Sequence, residues 1–221
     1  MVTAPLLRKP AEQQLTMSYE AYLEWADEDT HAEWVNGEVI VFMPAKFAHQ
    51  VVVGFLYELL ALFTRLFDVG QVHIAPLGMR LAHSRREPDI LFVLNENLNR
   101  LTDEGLVGPA DLVIEVVSDD SVRRDRDDKF REYAQAGIPE YWIIDPRPEK
   151  NRSDFYQLNE KGVYTLFATE DDEWVSSTII PGIRLKPAWL WQANELNPLT
   201  CALEIEGVAD ALRKQLGSAR K

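Results

Sequence analysis

Apolar residues recur at helical spacing in two long stretches of the chain. Over Phe47–Phe67 they return every three or four positions and also occupy much of the opposite side, which predicts a helix covered on two faces. Residues 125–136 carry a narrower apolar stripe that stops at Gly137, a residue typical of helix C-terminal caps. A shorter helix is predicted directly after Ser18, whose hydroxyl is a favourable N-cap.

Extended segments alternate with these helices. Within residues 33–42, Asn36-Gly37 lies between apolar residues, and this dipeptide predicts the turn of a β-hairpin. Residues 111–118 are mostly aliphatic, as expected for a strand that is covered on both faces. Further strands are predicted at residues 71–75, 77–82, 88–94, 140–145, 155–158, 163–168, 177–180 and 183–185.

The order of these elements predicts a mixed α/β (α+β) fold with one central sheet, which is centred on residues 72–145 and flanked by helices. An N-terminal hairpin precedes this core and a β-rich extension follows it. One or two helices, at residues 187–196 and roughly 202–216, are predicted to close the chain. The predicted organisation is a flexible leader at 1–16, a single domain at 17–196 and a helical tail at 197–221.

The charge balance excludes some partners. The 221 residues carry 23 Lys and Arg against 36 Asp and Glu, a net charge of −13. A chain this acidic does not coat nucleic acid or an anionic membrane through bulk charge, so any nucleic-acid contact must come from a local site. Cys201 is the single cysteine, which excludes an intrachain disulfide and a cysteine-held zinc site and suits a reducing cytoplasm.

No membrane association is expected from the apolar pattern. Residues 1–10 lack the long apolar segment of a signal peptide. The most apolar stretch, residues 51–67, contains Glu58 and Arg65, which favours a buried helix over a membrane span. The sequence therefore predicts a cytoplasmic protein with no membrane partner.

One carboxylate stands where apolar packing is expected. Glu115 lies between Ile114 and Val116 in the aliphatic strand, where burying an unpaired charge is strongly unfavourable. It therefore needs a cation, a metal or a proton. Strand alternation places it on the same face as Val113 and Val117.

A second carboxylate and a lysine complete a candidate site. Asp89 begins a neighbouring predicted strand, and two carboxylates on adjacent strands suit a hard cation such as Mg²⁺. Lys129 lies fourteen positions after Glu115, on the helix that follows. Phosphodiester hydrolysis requires a metal that polarises the phosphate and a cation that orients water or stabilises transition-state charge. A buried ion pair between Glu115 and Lys129, without chemistry, is the alternative.

The residues around Asp89 and Glu115 resemble a known nuclease signature. Arg86-Glu87-Pro88-Asp89, followed by residues 112–118, is similar to the PD-(D/E)XK pattern. The lysine expected two residues after Glu115 is replaced by Val117.

A longer resemblance is to the bacterial Uma-two family of endonucleases. It is carried by residues 128–133 and 136–146, and the hairpin from Glu33 to Glu38 and His49 also match the family's pattern. The family has the missing strand lysine on the following helix, here Lys129. The resemblance extends over about residues 19–185, most of the chain.

This resemblance implies a restriction-endonuclease-like core and an endonuclease that depends on Mg²⁺ or Mn²⁺. It implies that Asp89, Glu115 and the backbone carbonyl of Val116 hold the metal, and that Lys129 is the catalytic cation. Asp89 and Glu115 would thus be catalytic together with Lys129. DNA is the expected substrate, with RNA not excluded, and a homodimer would suit cleavage of both strands of a duplex.

Three further residues are candidates for supporting roles. Glu38 or Glu33 adds to the acidic site, and the sequence does not choose between them. His49 either supports the metal site or is a core histidine with satisfied hydrogen bonds.

Arginines supply the candidates for nucleic-acid contact. Residues 71–131 hold nine basic and twelve acidic side chains and form the least acidic part of the chain. The candidates are Arg85, Arg86, Arg123 and Arg124. Arginines that only pair with neighbouring aspartates are the alternative.

A function that is not enzymatic is the alternative to an endonuclease. A catalytically silent binding or assembly module that kept the nuclease fold would share these residues. The net charge of −13 and the apolar Val117 favour this alternative.

Overall fold

The computed structural model describes residues 15–27, 30–42 and 45–218, and the strands it describes form three sheets. In chain order the strands are β1 (Leu15–Thr16), β2 (Ala32–Val35), β3 (Glu38–Val41), β4 (Gly70–Ile74), β5 (Met79–Arg80), β6 (Ser84–Arg86), β7 (Ile90–Leu94), β8 (Leu101–Thr102), β9 (Gly105–Val107), β10 (Leu112–Val116), β11 (Glu140–Asp145), β12 (Arg152–Leu158), β13 (Tyr164–Thr169), β14 (Val175–Ser176) and β15 (Arg184–Leu185). The helices are α1 (Tyr19–Trp25), α2 (Phe47–Phe67), α3 (Lys129–Ala136), α4 (Pro187–Leu190), α5 (Pro198–Leu203) and α6 (Val208–Ser218), with a 3-10 helix at Asn95–Arg100 and a π-helical turn at Arg124–Asp128.

The central sheet has six strands in the order β13-β12-β11-β10-β7-β4. Its two middle strands, β10 and β11, run parallel, and the other neighbours are antiparallel. The return from β10 to β11 passes through α3, as a parallel connection requires. The sheet is therefore mixed, as the sequence predicts.

Both faces of this sheet are buried, and alternate residues of β10 pack into two different cores. Ile114 and Val116 pack into the core that α2 covers. Val113 and Val117 belong to a second core on the opposite face, which includes Tyr133 of α3. Glu115 is two residues from both Val113 and Val117 and therefore lies on the same face, so its carboxylate is on the α3 side, as strand alternation predicts.

A second sheet lies beside the first, in the order β1-β3-β2-β6-β5-β9-β8. Its β2–β3 hairpin turns at Asn36 and Gly37, whose φ angles of 50° and 94° are both left-handed, as a type I′ turn requires. β6 pairs with β2 through Trp34 and Arg85. The hairpin and β6 thereby bring Glu33 and its neighbours to the α3 side of the central sheet.

The long helix α2 is a core helix. By length and composition it is apolar enough to cross a membrane, but half of its most apolar stretch is buried inside the protein. Leu56, Leu59 and Leu60 are fully buried in the first core. The same core contains Cys201 and Val208 from the region after residue 196, so the predicted tail is helical and packed against α2.

Several boundaries differ from those predicted. The predicted leader lies outside the described residues up to position 14, whereas Leu15 and Thr16 form β1 and pair with β3. The predicted strand at 77–82 is shortened to β5, and the predicted helix at 187–196 ends at Leu190. Pro76 and Gly78 lie just before β5, and neither residue favours a regular strand.

Two further predictions were wrong near the C-terminus. Residues 177–180 do not form a strand, because Ser177 and Thr178 instead donate hydrogen bonds to the Glu140 carboxylate. The helix predicted at 202–216 is two helices, α5 and α6, separated at Gly207, where φ is 83°. Short strands such as β6, β8 and β9 were not predicted.

Two glycine-to-alanine substitutions test the hairpin turn. Gly37→Ala is expected to lower the free energy of unfolding by about 1 to 2 kcal/mol, because alanine must adopt a left-handed φ. Gly54→Ala is the matched control, since a Cβ there meets no atom within 4 Å and α2 gains helix propensity, for a rise of about 0.5 to 1 kcal/mol. Urea unfolding of both variants measures the difference, and equal destabilisation by the two would contradict this turn geometry.

Candidate active site

Asp89 lies at the end of the central sheet, opposite Glu115. β7 and β10 pair antiparallel with Ile90 opposite Ile114, so the next pair in this register is Asp89 with Glu115. Asp89 precedes β7, and its Oδ2 accepts a hydrogen bond of 2.7 Å from the Val116 amide. A carboxylate thus takes the place of a backbone partner where the ladder ends, which fixes the Asp89 side chain beside β10.

Glu115 is buried and bonded to α3. Its Oε1 accepts hydrogen bonds of 2.8 Å from Lys129 Nζ and 2.8 Å from the Tyr133 hydroxyl. Lys129 and Tyr133 are four residues apart and therefore lie on one face of the helix. Burial raises the pKa of Glu115 above its ordinary value, and the nearby charges of Asp125 and Asp89 raise it further, whereas the charge of Lys129 lowers it.

Lys129 is surrounded by carboxylates. Besides Glu115, its ammonium lies 3.0 Å from Glu33 Oε1 and 3.9 Å from Asp125 Oδ1, and the residue is 2% exposed. Burial alone lowers the pKa of Lys129, but the charges of Glu115, Glu33 and Asp125 outweigh it and hold the pKa above its ordinary value. Lys129 is therefore a fixed positive charge inside the protein.

Glu33 connects the hairpin to this lysine. Its Oε2 accepts a hydrogen bond of 2.9 Å from Arg86, and its Oε1 accepts one of 3.1 Å from the Glu87 amide. Burial raises the pKa of Glu33, but the charges of Lys129 and Arg86 outweigh it and lower the pKa to about 2. Arg86 also bonds Glu132 of α3, so β2, β6 and α3 are joined by one buried network.

His49 supports Asp89 from the first turns of α2. Its Nε2 lies 3.2 Å from the Asp89 carboxylate, and its Nδ1 is buried without a hydrogen-bond partner among the described residues. Burial lowers the pKa of His49, but the hydrogen bond and charge of Asp89 outweigh it and raise the pKa. His49 thus stands beside Asp89, the candidate metal ligand.

Sequence reasoning missed a role for the π-helical turn that precedes α3. Asp125 in this turn is 2% exposed, its side chain is bonded to Ser121, and Tyr141 donates to its carbonyl. From the sequence, Asp125 is considered only in the alternative in which the arginines pair with neighbouring aspartates. Its spacing of four residues before Lys129 was the available signal, because that spacing places two side chains on one helix face.

The structure does not bring all of the other predicted residues to the site in the predicted roles. Glu38 is exposed on β3, away from the cluster, so Glu33 is the hairpin glutamate at the site. Arg86 is 2% exposed and held by two carboxylates, so it has no free face for nucleic acid and its predicted contact is corrected. Arg85 is bonded to Glu87 and to the hydroxyl of Tyr22.

The remaining two arginines lie on the turn before α3. Arg123 is exposed, whereas Arg124 is half-buried with its guanidinium 4.9 Å from the centre of the Phe42 ring. Only these two of the four predicted contacts keep part of the guanidinium accessible without a carboxylate partner among the described residues.

The donor set fits a hard divalent cation. Asp89 and Glu115 offer carboxylate oxygens and Val116 a carbonyl, the ligand types that Mg²⁺ and Mn²⁺ favour. Across the described residues no group of three or more His, Cys, Asp and Glu side chains is arranged to hold a metal. An ion at this site would therefore use two carboxylates and a backbone oxygen, with water or substrate oxygens completing its shell.

Comparisons with known proteins agree with this fold. The model of the Uma2 (Uma-two) family, described as a putative restriction endonuclease, matches residues 19–188. A putative nuclease belonging to DUF820 from Anabaena variabilis has a similar crystal structure, with a TM-score of 0.66 and 14% identity over 79% of this chain and 97% of that chain. No curated protein matches the chain. The predicted restriction-endonuclease-like fold is confirmed.

Glu33→Gln tests the buried network. We expect it to lower the free energy of unfolding at pH 7 by about 3 to 5 kcal/mol, because Lys129 and Arg86 lose a shared buried anion. A pKa of about 2 in the folded state against 4.5 in the unfolded chain means that this stabilisation is present above about pH 4.5 and is lost as the pH falls toward 2.

The difference in the free energy of unfolding between wild type and Glu33→Gln should therefore become smaller as the pH falls below about 4.5. Denaturant unfolding at a series of pH values measures it. Glu38→Gln on the same hairpin is the control and is expected to change stability by less than about 0.5 kcal/mol, since Glu38 is exposed. A Glu33→Gln protein as stable as the control would contradict the network.

Proposed function

The chain belongs to the Uma2 family of putative restriction endonucleases, and from this premise we propose that it is a metal-dependent endonuclease that hydrolyses phosphodiester bonds in DNA. Family membership supports a nuclease function, and restriction-endonuclease-like nucleases generally use divalent metals. One observation carries the proposal: Asp89 and Glu115 stand opposite each other at the end of the sheet, with Lys129 2.8 Å from Glu115.

Asp89 and Glu115 are the proposed ligands of Mg²⁺ or Mn²⁺, together with the carbonyl of Val116. When bound, such an ion polarises the phosphate and acidifies a water. Asp89 is held in place from two sides, by the Val116 amide and by His49. Its side chain is 19% exposed against 4% for that of Glu115, so the substrate reaches the site from the Asp89 side.

Lys129 is the proposed catalytic cation. Its pKa lies above the ordinary value, so it remains charged at neutral pH and does not act as a base. Glu33 holds its ammonium at 3.0 Å independently of Glu115. If Glu115 turns its oxygens to a metal, Lys129 keeps one fixed partner and stays placed to stabilise the charge that develops on the phosphate.

A silent binding or assembly module is the second candidate, and one observation favours it. Lys129 already neutralises Glu115 with a geometry that needs no metal, as a structural ion pair would. The two functions differ in their response to divalent ions. A nuclease loses activity when the ions are chelated, whereas a silent module has no activity to lose.

Cleavage assays with two variants test the proposed function. We expect wild type to cut supercoiled plasmid or single-stranded DNA with Mg²⁺ or Mn²⁺, and Asp89→Ala and Lys129→Ala to lower the rate by about 100-fold or more. RNA is assayed in parallel, because the same residues serve either backbone. Circular dichroism checks that each variant is folded.

Asp120→Ala is the matched control, since it removes an exposed carboxylate from the loop after β10. It should cleave at the wild-type rate, and EDTA should stop cleavage by both. Full activity of a folded Asp89→Ala protein would overturn the assignment. A wild-type protein that cuts no substrate would favour the silent module.

A cytoplasmic location and a homodimer remain predictions from the sequence. Light scattering of the purified protein, alone and with a DNA duplex, measures whether it is a homodimer. A dimer is expected if one chain cuts each strand.

A further inference from the structure

The two buried cations near the site are fully committed to carboxylates of the protein. Lys129 is shared by Glu115, Glu33 and Asp125, and Arg86 by Glu33 and Glu132. A nucleic-acid strand brings additional negative charge to a protein that is already acidic. Affinity for its phosphates must therefore come from a different cation close to the cluster.

Arg124 occupies such a place. It begins the π-helical turn, and its carbonyl accepts the amide hydrogen of Lys129, so one turn separates the two residues. Its neighbour Asp125 approaches the Lys129 ammonium, and the charge of Arg124 acts on that carboxylate. π-helical turns are rare and are often found at functional sites, because they change which side chains face the same way.

Arg124 forms no ion pair among the described residues. Across the described residues no carboxylate oxygen lies within ion-pair distance of it, whereas Arg126 bonds Asp154 and Arg147 bonds Asp145. Its Nε is buried and has no hydrogen-bond partner among those residues. An unpaired buried donor is unfavourable, and Arg124 as a whole is only half-buried, so part of it stays open to an acceptor from outside the chain.

Phe42 positions this guanidinium. Its ring centre lies 4.9 Å from the Arg124 Cζ, a distance at which a cation and an aromatic face attract each other. Phe42 lies between β3 and α2, the helix that carries His49 to Asp89. The charges of Arg124 and Asp89 both act on the pKa of Asp125, so Arg124 lies in the neighbourhood of the candidate site. A contact with a ring restrains the guanidinium and leaves its N–H groups able to bind phosphate oxygens.

We propose that Arg124 binds a phosphate of the nucleic-acid strand beside the scissile bond, and this inference rests on the proposed nuclease function. A planar guanidinium forms two parallel hydrogen bonds to phosphate oxygens, which fixes the strand as well as attracting it. Arg124 is a substrate-positioning residue in this account, and the chemistry stays with Asp89, Glu115 and Lys129.

Equilibrium binding tests the proposal separately from cleavage. A fluorescein-labelled DNA 20-mer is titrated with the full chain in EDTA, over a series of salt concentrations, and the anisotropy is recorded. We expect Arg124→Ala to weaken binding by about tenfold and to reduce the slope of log affinity against log salt by about 1. Arg124→Lys keeps the charge, so it should retain the slope and lose part of the affinity.

Arg131→Ala is the matched control. Arg131 is exposed on α3 and lies 3.7 Å from Asp127, so this variant makes the same change of charge a few residues away. It is expected to bind and to cut at nearly the wild-type level. In cleavage assays Arg124→Ala should raise KM more than it lowers kcat, which a merely structural role would not produce.

The outcomes separate the two proposals. If wild type cleaves but Arg124→Ala and Arg131→Ala bind with equal affinity and equal salt slope, the role of Arg124 is overturned and the nuclease function stands. Loss of cleavage in Arg124→Ala at unchanged affinity would also overturn it. If wild type neither binds nor cuts any nucleic acid, both proposals fall.

Discussion

A lysine ammonium buried against three carboxylates ties together the elements around the site. Lys129 comes from α3, and its partners come from β2, β10 and the π-helical turn. Neither a lysine nor a glutamate tolerates such burial alone, because the loss of hydration costs several kcal/mol for each ion. The hairpin, the central sheet and α3 are therefore held in one arrangement by the need to keep these charges paired.

The same cluster has more negative than positive charge. Lys129 and Arg86 are the cations, and four carboxylates contact them. These four are Glu33, Glu115, Asp125 and Glu132. Burial and this excess of negative charge raise the pKa values of Glu115 and Asp125. A divalent cation beside Asp89 would relieve this surplus, which gives a physical reason for a carboxylate in an otherwise aliphatic strand.

Local pattern predicted much of this arrangement, and long-range packing decided the rest. Period-two alternation placed Glu115 on the α3 face, and the spacing on α3 placed Lys129 toward it. No local signal distinguished Glu33 from Glu38, because both lie on the same face of the hairpin and only the docking of the hairpin against β6 and α3 decides which of them is buried. Arg86 is buried for the same reason: which of two adjacent strand residues points inward is set by docking of the second sheet.

The proposed function depends most directly on whether a divalent ion binds to both Asp89 and Glu115. A crystal grown or soaked with Mn²⁺, with anomalous diffraction data, answers this without reference to activity. We expect an anomalous peak within about 2 to 2.3 Å of the Asp89 and Glu115 carboxylates and the Val116 carbonyl, with the Lys129 ammonium still paired with Glu33. The absence of a peak there, with Lys129 still bonded to Glu115, would contradict a metal site formed by these residues.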